Sequence, residues 1–258
     1  MNKPYYVIDL RAVDCKIDIR INDVSVLSMT VDGQTATMLP INNAIVKSGK
    51  QQVSHNILPL SGKTTLEDTV NFSASVWLYD AGGDLIEKKE EISKFTMPEN
   101  KTGFPLPAYK GEDVFYAEIP YKLNAWQNSQ DLTKVEKLRE LVDAAYRKTE
   151  ELINNAQYNQ LANMLQKRED NIAISLYLSE SEKKGRMLDL IDIMETGFKN
   201  IPISEEDTMV IYGNDKLVAL RKEDGKSALL LKNKYTGEEL NLEIQFHLEQ
   251  DNNELTII

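Results

Sequence analysis

Alternating apolar and polar residues dominate the first half of the chain and predict β-strands. Residues 15–21 read Cys-Lys-Ile-Asp-Ile-Arg-Ile, which places every second side chain on one face. Asn22-Asp23 then supplies a turn, and a return strand begins at Val24. A second turn is predicted at Asp32-Gly33. This part of the chain therefore begins as an antiparallel hairpin.

The same period of two continues to about residue 121. Residues 53–57 place Val, His and Ile on one face of a strand. In residues 70–80 the even-numbered side chains are mostly apolar and most odd-numbered ones are polar, so the two kinds lie on opposite faces. Ala81-Gly82-Gly83-Asp84 predicts a hairpin with a return strand over 85–87. The proline-containing stretch 97–110 predicts an extended crossing segment before a last strand. We predict an antiparallel β-sandwich domain over residues 1–121.

The middle of the chain has helical spacing. Apolar residues recur every three or four positions from Asp131, which is the predicted N-cap of the first helix. Ser179-Glu180-Ser181-Glu182 is a capping box that begins a third helix, and Gly197 ends it. The apolar face of that helix is predicted to contain Leu188, Ile191 and Met194. Helices are expected over about 131–200.

The tail returns to strands from about residue 208 to residue 258. Residues 240–247 alternate well and predict one strand, and the whole tail predicts an antiparallel meander. Residues 122–258 are therefore predicted to form an α+β domain. A cystatin-like or nuclear-transport-factor-like arrangement, in which a curved sheet wraps a helix, is the expected fold type. The predicted class of the whole chain is α+β.

Composition limits the class of partner. The 258 residues are 41% hydrophobic and 28% charged, which is typical of a soluble globular protein, and the formal net charge is −11. Nucleic acid and anionic membranes bind clustered Lys and Arg, so neither is an expected partner. No stretch has the length of a signal peptide's apolar run or of a transmembrane helix, so we expect a cytoplasmic protein.

One stretch resembles a phosphate-binding loop. Ser61-Gly62-Lys63-Thr64 matches the end of that motif, but Ile57 stands where its first glycine is needed. The residues that follow alternate as a strand instead of forming the required helix. We interpret the stretch as a turn between two strands and exclude nucleotide binding there.

Other reactive residue types are sparse. Cys15, His55 and His247 each lie within an alternating strand. We interpret Cys15 as a small core residue and the two histidines as hydrogen-bonded residues of the core or of a sheet edge. Asp189, Asp192 and Glu195 recur on one helix, where a solvated face or a partner contact explains them better than a metal site. The sequence predicts no catalytic residue, no cofactor and no metal.

Trp77 and Tyr79 form the most informative pair. They continue the polar parity of their strand, so two aromatic side chains are predicted on its outer face. Such a pair could bind a sugar by stacking or contact a protein partner. Packing of the linker or of the helical domain over them is the interpretation that the sequence favours.

Two stretches carry a resemblance to a known group. IRINDVSV with LPINNAIVKSGKQQVSHNILP, and the tail YGNDKLVALRKEDGKSALLLKN with IQFHLEQDNNELTII, resemble the immunity-type proteins of bacterial antagonism systems such as type VI secretion. The resemblance implies a cytoplasmic protein that binds and blocks a cognate toxin. The resemblance assigns no function to any individual residue of this chain.

The sequence thus favours a non-enzymatic binding protein, and the resemblance implies one that neutralises a bacterial toxin by covering its active site. Its partner-binding candidates are Trp77, Tyr79, Asp189, Asp192 and Glu195, and a basic toxin domain is the expected partner. The alternative is a carbohydrate- or small-ligand-binding protein that uses the sandwich face or a pocket of the C-terminal domain. An enzyme built in that pocket is the third hypothesis.

Overall fold

The computed structural model describes residues 3–83, 85–99 and 105–258, and the chain divides into two units. Unit 1 comprises Met1–Leu123 with Ser175–Tyr177, and unit 2 comprises Asn124–Ile174 with Leu178–Ile258. Strands pair antiparallel in both units and the helices lie in the second half, so the α+β class is confirmed. Two predicted features lie partly outside the described residues, namely Asp84 of the hairpin signal and residues 100–104 of the proline-containing stretch.

Unit 1 contains one curled antiparallel sheet. Its strands are β1 (Pro4–Ile21), β2 (Val24–Pro40), β3 (Gly49–Leu58), β4 (Asn71–Asp80), β5 (Glu87–Thr96) and β6 (Tyr109–Ala117). The order is β5-β4-β1-β3-β6, and β2 also pairs with β1. Residues 7–13 of β1 pair with both β2 and β4, whereas residues 16–21 pair with both β2 and β3. One edge of β1 is therefore occupied by β2 alone, and the other is shared end to end by β4 and β3.

A bulge at Asp14 marks the point where β1 passes from one neighbour to the other. Asp14 has a φ of 51°, and the register with β2 shifts between Val13 and Cys15. The Gly33 N–H donates to Asp14 Oδ1 at 2.8 Å, and Gly33 has a φ of 90°, which glycine adopts readily. The predicted turn at Asp32-Gly33 is wrong, because β2 continues through these residues opposite Asp14.

The buried parity of β1 changes at the same bulge. Before it the even-numbered residues Ile8, Leu10 and Ala12 are buried, and after it the odd-numbered Cys15, Ile17, Ile19 and Ile21 are buried. A strand without a bulge keeps one parity throughout, since successive side chains point to opposite faces. The irregular backbone at Asp14, which lies opposite the two residues Asp32 and Gly33 of β2, therefore lets both halves of an 18-residue strand face the same core.

Aromatic packing joins the two ends of the curl. The Phe95 ring of β5 stacks on His55 of β3 with centroids 4.4 Å apart. A Cβ at Gly111 of β6 would lie 2.5 Å from the Phe95 ring, so glycine is needed for this close approach. Ser93 of β5 also donates to the carboxylate of Asp113 in β6. The predicted return strand after β4 is confirmed as β5, which pairs antiparallel with β4, but it begins only at Glu87, and Leu85 is 79% exposed.

Three α-helices lie in the described ranges, α1 (Leu138–Asn154), α2 (Tyr158–Ser175) and α3 (Glu180–Glu195). Asp131 accepts the Thr133 N–H but caps a short 3-10 turn, Leu132–Lys134, so the predicted start of the first helix is wrong. Lys137, with a φ of 54°, interrupts the helical conformation just before α1. Of the helices described, none is both long and apolar enough to span a membrane.

The predicted limits of α3 are confirmed. Ser179 and Glu182 form the capping box, and Gly197 follows the helix with a φ of 113°. The predicted apolar face is partly wrong, because Leu188 is 58% exposed. Met194 is buried, and Met187 and Leu190 pack against the core with it. A spacing of three and four residues from Met187 therefore defines the inner face.

The tail forms two small antiparallel sheets instead of one meander. Their strands are β7 (Phe198–Asn200), β8 (Thr208–Tyr212), β9 (Leu217–Arg221), β10 (Leu230–Asn233), β11 (Glu239–Asn241), β12 (Phe246–Leu248) and β13 (Leu255–Ile257). The sheet orders are β11-β10-β7 and β13-β12-β9-β8. The single strand predicted over 240–247 is wrong, since Leu242 and Ile244 are buried in the connection between the two sheets.

One apolar cluster of unit 2 joins its helices to its strands. Tyr146 of α1 is fully buried, and its ring lies 5.1 Å from that of Phe246. The Tyr146 hydroxyl accepts the Leu220 N–H at 2.9 Å, so its polar atom is satisfied inside the cluster.

Candidate functional site

A groove of about 510 Å³ lies on the outer face of β1, β4 and β5 in unit 1. Small polar side chains of β4 form part of its wall. Its charged and aromatic members are Asp9, Arg11, Trp77, Lys88, Glu91 and Lys94. Two carboxylates, three cationic groups and an indole thus line one concave surface.

Strand register brings these residues together. On β4 the odd-numbered residues face outward, and Ser73 and Ser75 lie opposite Arg11 and Asp9 of β1. On the other side Ser75 pairs with Lys94, and Trp77 pairs with Glu91. Small serines in the central strand leave space that the long side chains of both neighbouring strands surround. The sequence pattern that buries the even-numbered residues of β4 therefore also builds the groove.

Trp77 holds a cation against its ring. Lys88 Nζ lies 3.2 Å from the centroid of the indole, which is a close cation–π contact. Two register shifts between β4 and β5, one before Trp77 and one after Leu78, carry Lys88 to this position. Trp77 Nε1 is buried and has no hydrogen-bond partner among the described residues. One face of the ring is thus occupied by an ammonium group of the protein itself.

The opposite wall carries an open ion pair. Arg11 Nη2 lies 3.8 Å from Asp9 Oδ2, and the Arg11 side chain is 67% exposed. A pair with this separation and exposure contributes little to stability. Both charged groups are therefore able to exchange this contact for a ligand at low cost.

Tyr79 lies one step beyond the groove. It is partly exposed on the outer face of β4, opposite Tyr5 of β1 and Lys88 of β5. The predicted placement of Trp77 and Tyr79 on the outer face agrees with the structure, but only Trp77 lines the groove.

Asp189, Asp192 and Glu195 lie on the exposed surface of α3 in unit 2. The structure shows no ion pair to any of them within the described ranges. Leu188, which is 58% exposed, precedes Asp189, and Ile193, which is 42% exposed, lies between Asp192 and Glu195 in sequence. Across residues 3–83, 85–99 and 105–258, no three His, Cys, Asp or Glu side chains are grouped to hold a metal ion.

His55 belongs to the core of unit 1. It is 2% exposed, and burial lowers its pKa to about 4. Neither ring nitrogen has a hydrogen-bond partner in the described part of the chain. The prediction of a core position is confirmed, whereas the hydrogen-bonded histidine that we expected there is not found. Stacking on Phe95 takes the place of polar contacts.

His247 of β12 is the centre of a buried polar cluster in unit 2. Its Nδ1 lies 2.6 Å from Ser129 Oγ, and its Nε2 lies 3.3 Å from Lys167 Nζ of α2. Lys167 also donates to Glu249 Oε1 at 2.6 Å. Burial and the nearby Lys167 ammonium together lower the pKa of His247 to about 4. Serine, histidine and carboxylate thus come together, as they do in the catalytic triads of hydrolases.

The donors and acceptors of this cluster oppose nucleophilic catalysis by Ser129. An ammonium group only donates, so the Nε2 that faces Lys167 acts as an acceptor. A neutral imidazole then carries its proton on Nδ1 and donates it to Ser129 Oγ. A general base must accept the serine proton at that nitrogen. Ser129 is also only 5% exposed. The cluster therefore fixes the segment at 127–132 to β12, together with the hydrogen bond from Gln130 N to Leu248 O at 2.8 Å.

Cys15 and the loop at residues 61–64 keep their predicted structural roles. Cys15 is fully buried, and burial raises the pKa of its thiol to about 11, so the reactive thiolate is disfavoured. Gly62 has a φ of 82° in a turn between β3 and β4, and Lys63 forms an ion pair with Glu67 at 3.0 Å. The segment that follows is β4, a strand, as the alternation predicts.

Sequence reasoning missed most of the groove. Asp9 and Arg11 alternate with Ile8 and Leu10, so a period-two pattern was available to place them on an outer face. Their partners on β5 could not be found in this way, because two register shifts change which β5 residues face outward.

Comparison with known proteins adds no relative to this description. No protein-family model, no curated protein and no solved structure matches the chain.

Proposed function

We propose that the chain is a non-enzymatic binding protein that holds a protein partner on the outer face of β1, β4 and β5. The groove around Trp77 is the observation that carries this proposal. Its charged groups are partly exposed and weakly paired, and its wall is built on three adjacent strands. Binding surfaces placed on regular elements are held in position before the ligand arrives.

A protein partner fits the groove better than a sugar. Carbohydrate recognition of the predicted kind needs an open aromatic face, and the Lys88 ammonium already lies over the Trp77 ring. Charges of both signs, with Arg11 and Lys94 near Asp9 and Glu91, suit a polypeptide that carries both signs as well.

A small polar ligand is the second candidate for the same groove. Its volume of about 510 Å³ lies within the range of ligand pockets, roughly 300–1,000 Å³. Asn71 and Ser73 add neutral hydrogen-bonding groups to the wall.

Within the first proposal, neutralisation of a bacterial toxin in the cytoplasm is the most specific role. The resemblance to immunity-type proteins supports it, and the net charge of −11 favours encounter with a basic toxin domain. The acidic surface of α3, with Asp189, Asp192 and Glu195, supplies a second contact for such a domain. A β-sandwich and a cystatin-like cone remain the fold types that we propose for the two halves of this binding protein.

Co-expression tests this role. The chain is expressed in a bacterial host together with the toxin domain encoded beside its gene, and survival is counted. We expect rescue by the wild type and loss of rescue when Asp9→Lys and Glu91→Lys are combined, because these changes repel a basic domain. Glu112→Lys is the control, because Glu112 is an exposed glutamate of the same unit on β6.

The outcomes distinguish a wrong role for the protein from a wrong choice of binding surface. Survival no better than that with an empty vector rejects toxin neutralisation. Rescue by both the wild type and the double variant places the contact elsewhere, and the triple variant of α3, Asp189→Ala with Asp192→Ala and Glu195→Ala, then tests the second surface. Retention of the wild type on immobilised glycans, lost on Trp77→Ala, would instead favour a sugar ligand.

A further inference from the structure

The strand β2 has an open edge over its whole length. In the described part of the chain it pairs only with β1, although it extends over 17 residues. An edge strand presents unpaired N–H and C=O groups that can pair with another strand. Proteins usually protect such edges with charged residues, prolines or irregular backbone.

Little of this protection is present on β2. Asp32 is its one charged residue, and Pro40 is its last residue. The β5 edge of the same sheet contrasts with it, because six of its ten residues are charged. Charged residues therefore protect the β5 edge of the sheet but not the β2 edge.

The two halves of β2 differ in regularity. Between Ser25 and Leu27 the register with β1 shifts, and such an irregularity disturbs further pairing. Residues 34–40, Gln-Thr-Ala-Thr-Met-Leu-Pro, pair with β1 without interruption. Met38 of this half is 51% exposed, although it is a large apolar residue. The open, regular and uncharged part of the edge is thus residues 34–40.

We propose that residues 34–40 of β2 pair antiparallel with the same residues of a second copy of this chain, across a two-fold axis at Thr37. The uncharged edge suits a second copy, because an acidic protein can approach itself only where its charges are absent. In this pairing both copies use the same residues for the contact, as a two-fold symmetric interface requires.

The side chains of this edge complement themselves in that register. Thr37 lies opposite the second copy's Thr37, and paired threonines are favourable on antiparallel strands. Ala36 lies opposite the second copy's Met38, so a small side chain meets a large one. Thr35 lies opposite the second copy's Leu39, and no charged side chains oppose each other.

The expected dimer is weak. A contact of two seven-residue strands is small beside the roughly 1,600 Å² that standard interfaces bury, so it should dissociate on dilution. Joining the two edges would also extend the sheet that carries the groove, because Asp9 and Arg11 lie opposite Met38 and Ala36.

Sedimentation velocity over a range of concentrations tests the proposal. We expect a monomer–dimer equilibrium for the wild type and a dissociation constant raised at least about tenfold by Thr37→Lys, because like charges would then face each other. Met38→Lys should weaken the dimer as well. Ser28→Lys is the matched control, since Ser28 is exposed on the same strand but outside residues 34–40.

Disulfide trapping gives an independent result if the lysine variants fold poorly. Thr37→Cys should form a covalent dimer on mild oxidation, because directly opposite residues lie within reach of a disulfide. Ser28→Cys should remain monomeric, and buried Cys15 should not react.

Three results would overturn the proposal: a wild type that stays monomeric at every concentration, a dimer unaffected by both lysine variants, or failure of Thr37→Cys to cross-link. Formation of larger aggregates without a discrete dimer would also overturn the proposal, because the exposed edge of β2 would then associate non-specifically.

Discussion

The two buried histidines show how differently the two units treat polar groups. His55 in unit 1 and His247 in unit 2 are 2% and 1% exposed, and burial lowers the pKa of both to about 4. His55 packs between aromatic rings with no polar partner described for either nitrogen. His247 contacts Ser129 and Lys167 through its two nitrogens. Burial thus lowers the pKa of a histidine both in the apolar core of unit 1 and in the hydrogen-bonded cluster of unit 2.

The difference extends beyond these residues. Unit 1 keeps its charged groups on the outer faces and rims of its sheet, where Arg11 and its neighbours line the groove. Unit 2 buries some of its own charged groups, since the side chains of Glu169 and Asp207 are each 5% exposed and ion-paired. The buried ion pairs and the His247 cluster of unit 2 are therefore structural, whereas the charged groups of the groove in unit 1 are open to solvent.

The largest expected effect is on the buried ion pairs of unit 2. Glu169 contacts Arg168, and its Oε2 lies 3.2 Å from Arg186 Nε. Glu169→Ala leaves the mostly buried Arg168 guanidinium without its carboxylate, so we expect unit 2 to lose about 3 kcal/mol of unfolding free energy. Urea unfolding followed by Trp126 fluorescence, in a Trp77→Phe background, measures this unit alone. Glu180→Ala, at an 83% exposed side chain, is the control and should change little.

The histidines themselves give the next effect. His247→Phe leaves Ser129 Oγ and Lys167 Nζ without this partner, and we expect a loss of about 2 kcal/mol from unit 2. His55→Phe removes two unsatisfied nitrogens and keeps an aromatic ring on Phe95, so the stability of unit 1 should stay within about 1 kcal/mol or rise. Trp77 fluorescence in a Trp126→Phe background reports unit 1. Equal losses in both variants would contradict the comparison.

Acid should destabilise both units through these groups. The folded pKa of each histidine, about 4, is below the usual 6.5, so the unfolded chain binds more protons between these values. The stabilising contribution is complete above pH 6.5 and is lost as the pH falls towards 4, by on the order of 1–3 kcal/mol for each histidine. Unfolding free energies measured at several pH values should show this slope, and His55→Phe should remove it from unit 1 alone.

The smallest effect concerns the groove. Lys88→Met removes the cation from the Trp77 ring and should lower the stability of unit 1 by about 0.5 kcal/mol, because the contact is open to solvent. Lys89→Met removes an exposed lysine whose ion pair with Glu87 does not touch the ring, and is the matched control. A loss above about 2 kcal/mol for Lys88→Met would assign the contact to the fold instead of to binding.

Local patterns predicted much of the fold because they depend on near neighbours. Alternation found the hairpin at Asn22-Asp23, the strand β4 and most tail strands, and the Ser179 capping box located α3. Register shifts were beyond these patterns, since a bulge at Asp14 depends on which strands pair at a distance. For the same reason the expected turn at Asp32-Gly33 and the continuous strand over 240–247 were wrong.

The candidate site could be predicted only in part. Trp77 was found because an aromatic residue on a polar parity is unusual, whereas Lys88 and Glu91 reach the groove through shifts that the sequence does not reveal. The contact of Ser129 with His247 joins residues 118 positions apart, and no local pattern links them.

The bulge at Asp14 makes unit 1 sensitive to the number of residues more than to their chemistry. Removing Lys16, next to the bulge, would leave the other residues unchanged, yet it would shift the isoleucines at 17, 19 and 21 by one position and turn them outward. Natural variation in this strand should therefore consist of replacements, with gained or lost codons confined to the connections between strands.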